Sequence, residues 1–447
     1  MVNLNNNYKV SAFNISKKNK DKTLTILNTY TNLSVVVEES KINRINEILN
    51  LPNDFTEDID FLILKNNGII VDKSVNEYEL IQYEYYKLAY QTSKFTLTII
   101  PTRDCNFSCS YCYQKHEDFV MKEKTYDSII NLIENKAAKF NKMEINWFGG
   151  EPLLEIDSIL KLMEKINKIV KKHRCALISK MTTNGYLLNY NTFEKLLKLG
   201  VLYYQITIDG TSQIHNIQRP HINGDSFEVV INNLREISKK SKSNIFKIAL
   251  RTNLTNTSKD DIYTLLDCYA QMFSGDKRFG IDLNMADDWG GDSAKGVAFL
   301  RYDDFVIRQK SILDYMDKLG LSRQLNLTSL GDIICCAQRE NNFIIDYDGS
   351  IHKCTIAMFF EEHREVSCIG YLKSTGELVI DTNKHIFWLF DTKEQSKCRK
   401  CSILPYCMGR PCVYAVKVKG LDQCSLNSRN NPIYKLLKDL KKFDTIK

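Results

Sequence analysis

A predicted strand followed by three cysteines decides the fold: Phe95-Thr-Leu-Thr-Ile-Ile100-Pro-Thr-Arg-Asp-Cys105-Asn-Phe-Ser-Cys109-Ser-Tyr-Cys112. The apolar and β-branched residues over 95–100 predict a buried strand. The cysteines follow it at spacings of four and three residues. Three thiolates so close in sequence can hold one [4Fe–4S] cube and leave its fourth iron open. Half of a zinc site is the alternative.

Strands and helices alternate on both sides of this loop, from Phe95 to Met285. The predicted strands cover 95–100, 143–147, 179–183, 203–208, 246–253 and 281–285. The predicted helices cover 123–140, 154–172, 191–199, 226–240 and 259–271. Such alternation is typical of parallel strands joined by crossover helices. We therefore expect an α/β fold, a partial (β/α)6 barrel of the TIM type, with functional residues at the C-terminal ends of its strands.

The cysteine loop resembles the Cys-x3-Cys-x-aromatic-Cys signature of radical S-adenosylmethionine (SAM) enzymes. In that family the open iron binds the amino and carboxylate groups of SAM, and one electron cleaves SAM to a 5′-deoxyadenosyl radical. Motifs that follow later strands strengthen the resemblance. It implies that the cluster is held by Cys105, Cys109 and Cys112, and that SAM is bound by Gly149, Gly150, Glu151, Pro152, Thr183, Asn184, Asp209, Arg251 and Asn253.

Two of these residues have a specific expected role. The resemblance implies that Glu151 accepts a hydrogen bond from the methionine ammonium. It also implies that Arg251 holds the methionine carboxylate in a bidentate fork. No residue is predicted to act as a catalytic acid or base.

The 14 cysteines are the informative feature of the composition. Clustered cysteines in a reducing compartment indicate metal rather than disulfides. Eleven fall into two groups, at 105–112 and 335–424. The other three, Cys175, Cys268 and Cys368, are predicted to be buried structural thiols.

The second group resembles the SPASM domain of peptide-modifying radical enzymes. Its pattern is Cys336-x12-Gly349-x4-Cys354, then Cys398-x2-Cys401-x5-Cys407-x4-Cys412, then Cys424. The resemblance implies three [4Fe–4S] clusters in all. It assigns an outer auxiliary cluster to Cys398, Cys401, Cys407 and Cys424, and an inner one to Cys336, Cys354 and Cys412. Two zinc ribbons are the alternative reading of this group.

Two residues beside these ligands refine the expectation. Cys335 adjoins Cys336, and neighbouring side chains of an extended segment point to opposite sides. We therefore expect the inner cluster to have three protein ligands and one iron open to a substrate thiolate. Sulfatase-maturing members carry an Asp directly after the cysteine at the position of Cys354, whereas Thr355 stands here. Sulfatase maturation is therefore not expected.

Residues 1–92 form a separate pattern of short strands and helices. Strands are predicted over 8–15, 23–28, 33–37 and 69–71, and helices over 41–49, 58–65 and 76–90. The pattern resembles the winged-helix domain with which peptide-maturing members add a leader peptide as an extra strand. A domain that only caps the barrel is the alternative. We expect three domains: 1–92 for peptide recognition, 93–302 for the radical SAM barrel and 303–447 for SPASM.

The combined resemblance implies an enzyme that matures a ribosomally made precursor peptide with a leader. The preferred reaction is thioether formation from a substrate Cys, with carbon–carbon crosslinking or epimerisation as alternatives. A non-catalytic iron–sulfur protein that binds peptide or transfers electrons is the alternative of another class. The resemblance also implies a flavodoxin or ferredoxin-type electron donor.

Charge and hydropathy limit the other partners. The net charge is +7, from 61 Lys and Arg against 54 Asp and Glu, and the basic residues are scattered. This distribution indicates no nucleic-acid partner. No apolar run reaches about 18 residues, and Met1–Ile15 lacks the features of a signal peptide. We therefore expect a cytoplasmic chain with no membrane partner.

Overall fold

The computed structural model describes residues 8–323, 334–389, 398–399, 401–408, 412–420 and 443–446. Cys407 and residues 443–445 are described through their backbone. The chain divides into two compact units. One comprises residues 1–89, 327–335 and 391–447, and the other comprises residues 90–326 and 336–390. The three domains expected from the sequence stay a prediction.

The N-terminal part of the first unit contains small sheets and three helices. In chain order its elements are β1 (Tyr8–Val10), β2 (Asn14–Lys18), β3 (Leu24–Asn28), β4 (Leu33–Val37), α1 (Ile42–Asn50), α2 (Ile59–Asn66), β5 (Ile70–Asp72) and α3 (Glu77–Ala89). β1 pairs antiparallel with β5, and β2, β3 and β4 form an antiparallel meander.

The single strand predicted over 8–15 is wrong, because the chain turns between β1 and β2. Ser11 donates its backbone N–H to the Ile69 carbonyl at 2.9 Å. Its hydroxyl donates to the Glu77 carboxylate, which also accepts from the Ala12 N–H at 3.1 Å. These bonds redirect the backbone and let β1 and β2 join different sheets.

The second unit begins with alternating strands and helices, as predicted. These are β6 (Lys94–Ile99), α4 (Glu123–Ala137), β7 (Lys142–Trp147), α5 (Ile156–Lys172), β8 (Ala176–Thr183), α6 (Tyr190–Lys198), β9 (Val201–Thr207), α7 (Ser212–Gln218), α8 (Ser226–Lys240), β10 (Lys247–Leu254), α9 (Ile262–Phe273) and β11 (Phe279–Met285). β6 to β11 lie side by side in chain order, and all are parallel. The predicted six-stranded α/β barrel is confirmed.

Apolar periodicity explains how these elements pack. α5 buries one stripe, Ile159, Leu162, Met163, Ile166, Ile169 and Val170, at the spacing of a helix face. β10 instead alternates buried Ile248, Leu250 and Thr252 with half-buried Ala249 and Arg251. Alternate side chains of a strand point to opposite faces. Each barrel strand therefore has one face against the helices and one towards the lumen.

The remaining elements follow the predicted barrel along the chain, and some of their strands extend its sheet. They are α10 (Tyr302–Lys318), β12 (Asn342–Ile345), β13 (Ser350–His352), α11 (Glu361–Ser367), β14 (Cys368–Leu372), β15 (Leu378–Ile380), α12 (Thr382–Leu389), α13 (Leu404–Cys407) and β16 (Phe443–Ile446). β12 pairs in parallel with β6, and β13, β14 and β15 continue antiparallel, so the sheet has ten strands. β16 belongs to the first unit, where it pairs in parallel with β4.

Two further observations bear on the sequence analysis. Within the described ranges, no helix has both the length and the apolar character required to cross a bilayer. Of the three thiols predicted to be buried, Cys175 is buried, whereas Cys268 and Cys368 are only half-buried. Cys268 lies on α9 and Cys368 starts β14, next to a bulge in the β13–β14 pairing.

Candidate functional site

The three cysteines of the first group lie on the loop after β6. Cys109 is buried, and Cys105 and Cys112 are half-buried. Burial, the Glu151 carboxylate and the other two thiols all raise the pKa of Cys105. Burial also raises the pKa of Cys109 to about 12, although Arg219 acts in the opposite direction. Burial also raises the pKa of Cys112. A bound cation would favour the thiolate form of these three cysteines, and the iron of a [4Fe–4S] cluster would supply that charge.

One further ligand candidate was not found from the sequence. His116 Nε2 lies 3.7 Å from Cys112 Sγ, and burial lowers the pKa of this imidazole. A neutral imidazole is a common metal ligand. His116 is therefore a candidate second ligand beside Cys112, although the described residues bring together no group of three or more Cys, His, Asp or Glu side chains that could hold a metal ion.

The loop after β7 packs directly onto the loop that carries Cys105. The N–H of Glu151 donates to the Asp104 carbonyl at 2.8 Å, and that of Gly150 donates to the Thr102 carbonyl at 3.2 Å. A Cβ on Gly150 would lie 2.0 Å from the Asp104 carbonyl oxygen. Gly149 has φ +135°, a conformation that glycine adopts without strain. Pro152 then opens a 3-10 turn over 152–155.

Glu151 joins this loop to the end of β8. Its buried carboxylate accepts from the Thr183 hydroxyl at 2.7 Å, the Asn184 N–H at 2.7 Å and the Leu153 N–H at 3.0 Å. Burial raises the pKa of Glu151, against these donors. The Asn184 amide also donates to Asn106 Oδ1 at 2.7 Å, on the cysteine loop. Glu151, Thr183 and Asn184 thus hold three loops together, and the ammonium contact of Glu151 stays a prediction.

Tyr111, the aromatic residue of the cysteine motif, forms hydrogen bonds with residues near the ends of β9 and β10. Its hydroxyl donates to the Asp209 carboxylate. It accepts from Arg219 at 3.0 Å and from the Asn253 side chain at 3.2 Å. The Asn253 N–H donates to Asp209 Oδ1 at 2.8 Å. Burial raises the pKa of Asp209, and the Arg219 charge acts against that shift.

Arg219, which follows α7, is a functional candidate that the sequence analysis missed. It is 7% exposed. Burial opposes its charge, but Cys109, Tyr111 and Asp209 raise its pKa well above the ordinary value. Among the described residues, its Nε has no hydrogen-bond partner. This donor, beside the cysteine loop, is suited to an anionic ligand group.

Arg251 lies in the lumen and has protein partners. Its guanidinium donates to Asp282 at 2.9 Å and to Asn253 Oδ1 at 3.1 Å. The carboxylate pairing expected with SAM would compete with Asp282.

A cavity of about 460 Å³ opens on the lumen side of the barrel strands. This volume lies within the range of about 300–1,000 Å³ typical of ligand pockets. Its polar lining includes Thr98, Asn146, Lys180, Gln205, Asp282 and Thr355. Phe148, which precedes Gly149, also lines it. The cavity therefore extends from the loop after β7 to the residue that follows Cys354.

Two cysteines of the second group lie in the same unit as the barrel. Cys354 is buried, and its Sγ accepts from the Ala357 N–H at 3.4 Å. Cys336 is exposed at the start of a 3-10 turn over 336–338. Burial raises the pKa of Tyr113, and so do Cys112, Cys354 and Cys336. Tyr113 is therefore close enough to thiols of both cysteine groups to interact with them electrostatically.

The other predicted auxiliary ligands lie in the first unit. Cys398, Cys401 and Cys412 are half-buried, as is Cys335. The Cys401 N–H donates to the Cys398 carbonyl at 3.1 Å, which closes the Cys-x2-Cys turn. The side chain of Cys407 and the whole of Cys424 lie outside the described residues. The assignment of these thiols to two clusters stays a prediction.

Comparison with known proteins identifies the class. Residues 99–268 match the family model of the radical SAM superfamily. A probable GTP 3′,8-cyclase of Methanocaldococcus jannaschii is 34% identical over 114 residues, which are 26% of this chain and 36% of that protein. Fe-coproporphyrin III synthase of Methanosarcina barkeri is 25% identical over 166 residues, which are 37% and 38% of the two chains. These matches span about two fifths of the relatives' length. The chain therefore carries a radical SAM domain, whose superfamily uses SAM and a [4Fe–4S] cluster.

Solved structures share the architecture over more of the chain. The native anSMEcpe with bound AdoMet and Cp18Cys peptide has a TM-score of 0.53 at 20% identity, and covers 71% of this chain and 88% of its own. Streptococcus suis SuiB bound to precursor peptide SuiA has a TM-score of 0.54 at 16% identity, and covers 92% and 97%. At these identities the likeness shows the fold alone.

Proposed function

We propose that this chain is a radical SAM enzyme that modifies a ribosomally made peptide, forming thioether crosslinks from a substrate Cys. The observation that carries the proposal is the lumen cavity of about 460 Å³, which reaches Thr355 beside Cys354. The winged-helix pattern of the first unit and the peptides bound in the two structural neighbours support a peptide substrate.

Bound SAM and the [4Fe–4S] cluster would supply the 5′-deoxyadenosyl radical. Cys105, Cys109 and Cys112 would hold that cluster. Arg219, whose Nε has no partner among the described residues, is the better candidate for the methionine carboxylate. Arg251 would instead keep Asp282 fixed in the lumen. Glu151 would hold the loops around the ligand through its three protein donors.

The reaction balances as an oxidation of the peptide. One substrate carbon loses a hydrogen atom, which ends on 5′-deoxyadenosine. The substrate thiol would lose its proton to solvent, the carbon–sulfur bond would form, and one electron would pass to the auxiliary cluster proposed for the second cysteine group. The peptide loses two hydrogen atoms for each crosslink. A flavodoxin or ferredoxin-type protein would supply the electron that cleaves SAM.

Thr355 bears on the alternatives. It lines the cavity directly after Cys354, where an Asp would act as a base in sulfatase maturation. A threonine hydroxyl is not a base at neutral pH. This observation disfavours sulfatase maturation, and leaves carbon–carbon crosslinking and epimerisation as other outcomes of the same radical.

The test is an anaerobic assay of reconstituted enzyme with SAM, a reductant and each cysteine-containing peptide encoded beside its gene. We expect 5′-deoxyadenosine and a peptide lighter by two hydrogen atoms per crosslink. GTP, a substrate suggested by the curated relatives, should give no product. An epimerised peptide of unchanged mass would show that the reaction is epimerisation rather than thioether formation. If no 5′-deoxyadenosine forms, the protein is an electron carrier rather than an enzyme.

A cavity variant links the product to the lumen. Ala249→Phe fills space among the lining residues. It should abolish peptide modification, while SAM is still cleaved without peptide. Ala138→Phe is the matched control, because Ala138 is exposed at the end of α4.

A further inference from the structure

The last described strand of the chain covers one edge of the N-terminal sheet. β16 pairs in parallel with β4, with Phe443 beside Ser34 and Ile446 beside Val37. The Glu38 N–H donates to the Ile446 carbonyl at 3.0 Å. The order of the sheet is β16, β4, β3, β2. The backbone groups on the outer edge of β4 are therefore paired with the chain's own tail.

A cluster of buried apolar residues lies beside this edge. Ile446 is 2% exposed and lies in the same cluster as Val35, Val37, Ile45 and Ile48. Burial of an isoleucine side chain is favourable because it removes apolar surface from water. The edge therefore accepts an extended segment and anchors it by one aliphatic side chain.

The opposite edge of the sheet is unsuited to strand addition. β2 forms that edge, and its residues Ser16, Lys17 and Lys18 are exposed. Lysines on an edge strand oppose pairing with another chain. An incoming peptide would consequently choose the edge of β4, which β16 occupies.

The tail is suited to exchange with such a peptide. β16 has four residues, and a parallel ladder is slightly less stable per residue than an antiparallel one. A strand on the same chain nevertheless competes at an effective concentration of the millimolar order. Because the pairing of β16 is short and its local concentration is high, we expect β16 to cover the edge of β4 reversibly.

We propose that the edge of β4 is the docking groove for the substrate's leader, and that β16 occupies this groove until an extended peptide with an aliphatic anchor displaces it. The identity of the peptide as substrate rests on the proposed function, whereas the groove itself does not. The tail thereby sets the affinity for peptide, because only the uncovered fraction of the protein binds.

The test uses the full chain and a chain that ends at Lys442. The probe is a fluorescent peptide of residues 441–447, Lys-Lys-Phe-Asp-Thr-Ile-Lys. If β16 is docked nine-tenths of the time, the shortened chain should bind the probe about tenfold more tightly than the full chain. The same probe with Ile446→Asp is the matched control and should not bind. Equal affinity of both chains for the probe would overturn the proposal.

A second variant covers the case in which truncation unfolds the sheet. Ile446→Asp in the full chain removes the anchor and should also raise the affinity for the probe. The circular dichroism spectrum of this variant should match that of the native chain. A precursor peptide that is modified should compete with the probe on the shortened chain. If it is modified but does not compete, the leader does not use this groove and the proposed function stands. If the probe binds but no peptide is modified, the groove stands and the proposed function fails.

Discussion

The guanidinium of Arg219 is the clearest single-residue feature of the site. It is buried beside Cys109, Tyr111 and Asp209, and its interactions with these three groups raise its pKa. A charge in this position needs partners on every side, because unpaired burial is costly. Arg251 is 28% exposed in its side chain and already paired with Asp282. The two arginines therefore have different tasks, although sequence alone pointed to Arg251.

The first prediction separates these tasks. Arg219→Lys keeps the charge but loses the planar fork, so the affinity for SAM should fall. A charge-assisted hydrogen bond is worth about 1.5–3 kcal/mol, which corresponds to a loss of roughly tenfold or more. Equilibrium binding of SAM to reconstituted protein measures it. Arg251→Lys is the matched control with a smaller effect, and both variants should retain their iron. A larger loss of SAM affinity in Arg251→Lys would show that Arg251 binds the methionine carboxylate.

The second prediction concerns the contact between the cysteine loop and the loop after β7. Gly150→Ala would place a methyl group 2.0 Å from the Asp104 carbonyl oxygen, so one loop must move. We expect loss of SAM cleavage and reduced retention of the iron held by the first three cysteines. Both are measured after anaerobic reconstitution.

Gly224→Asn is the matched control for that substitution. Gly224 has φ +98°, and no heavy atom of the described residues lies within 4 Å of the position that a Cβ would take. Asparagine tolerates positive φ better than most residues. The iron content and SAM cleavage of this variant should stay near those of the native chain. Full activity in Gly150→Ala would show that the two loops adjust independently.

At the scale of elements, the ten-stranded sheet brings β6 and β12 side by side from distant parts of the chain. Arg103, after β6, donates to Asp346, after β12, and both are buried. The Arg103 guanidinium also lies 5.3 Å from the Phe359 ring centroid. This pair joins the loop leading to Cys105 to the segment leading to Cys354.

The third prediction tests that pair. Asp346→Asn removes the buried carboxylate and leaves the Arg103 guanidinium with Glu117 at 3.4 Å. Breaking a buried ion pair costs about 3–5 kcal/mol, and the Glu117 contact should hold the loss near the lower value. We expect the midpoint of urea unfolding, measured by circular dichroism, to fall. Arg103→Met with Asp346→Leu should recover most of the loss, because no buried charge remains. Asp260→Asn breaks the exposed Arg308–Asp260 pair and should change stability by about 1 kcal/mol or less. An unstable double variant would mean that the pair is needed for geometry rather than charge.

The barrel elements could be predicted because their signals are local. Strand and helix periodicity located β6 to β11 and the helices between them, and the motifs followed the strand ends. The β6–β12 pairing joins residues such as Leu97 and Phe343, so no local pattern shows it. Arg219 was missed for the same reason, since its partner Tyr111 is 108 residues away. The turn at Ser11 depends on a hydrogen bond to Glu77, which is 66 residues away, so sequence periodicity does not show it either.

At the scale of the molecule, the first unit combines the two ends of the chain. Tyr406 donates its hydroxyl to Asn32 at 2.8 Å, and the Arg399 guanidinium lies 5.3 Å from the Tyr78 ring centroid. Arg399 directly follows Cys398 and Tyr406 directly precedes Cys407, and both cysteines are proposed to hold the outer auxiliary cluster. The segment proposed to recognise peptide therefore also supports that cysteine segment.

This arrangement gives the fourth prediction, for a chain that lacks residues 1–92. The three proposed [4Fe–4S] clusters would contain about twelve irons, and loss of support for the proposed outer cluster should leave about eight. Peptide modification should cease, while SAM is still cleaved without peptide, because the barrel and its three cysteines remain. Iron analysis after anaerobic reconstitution, 5′-deoxyadenosine and peptide mass measure the three effects. Tyr406→Phe is the matched control: it breaks one contact to Asn32 but keeps the N-terminal sheet, so it should still bind peptide. A shortened chain that retains about twelve irons would show that the outer cluster folds without the N-terminal segment, and one that still modifies peptide would remove the recognition role from residues 1–92.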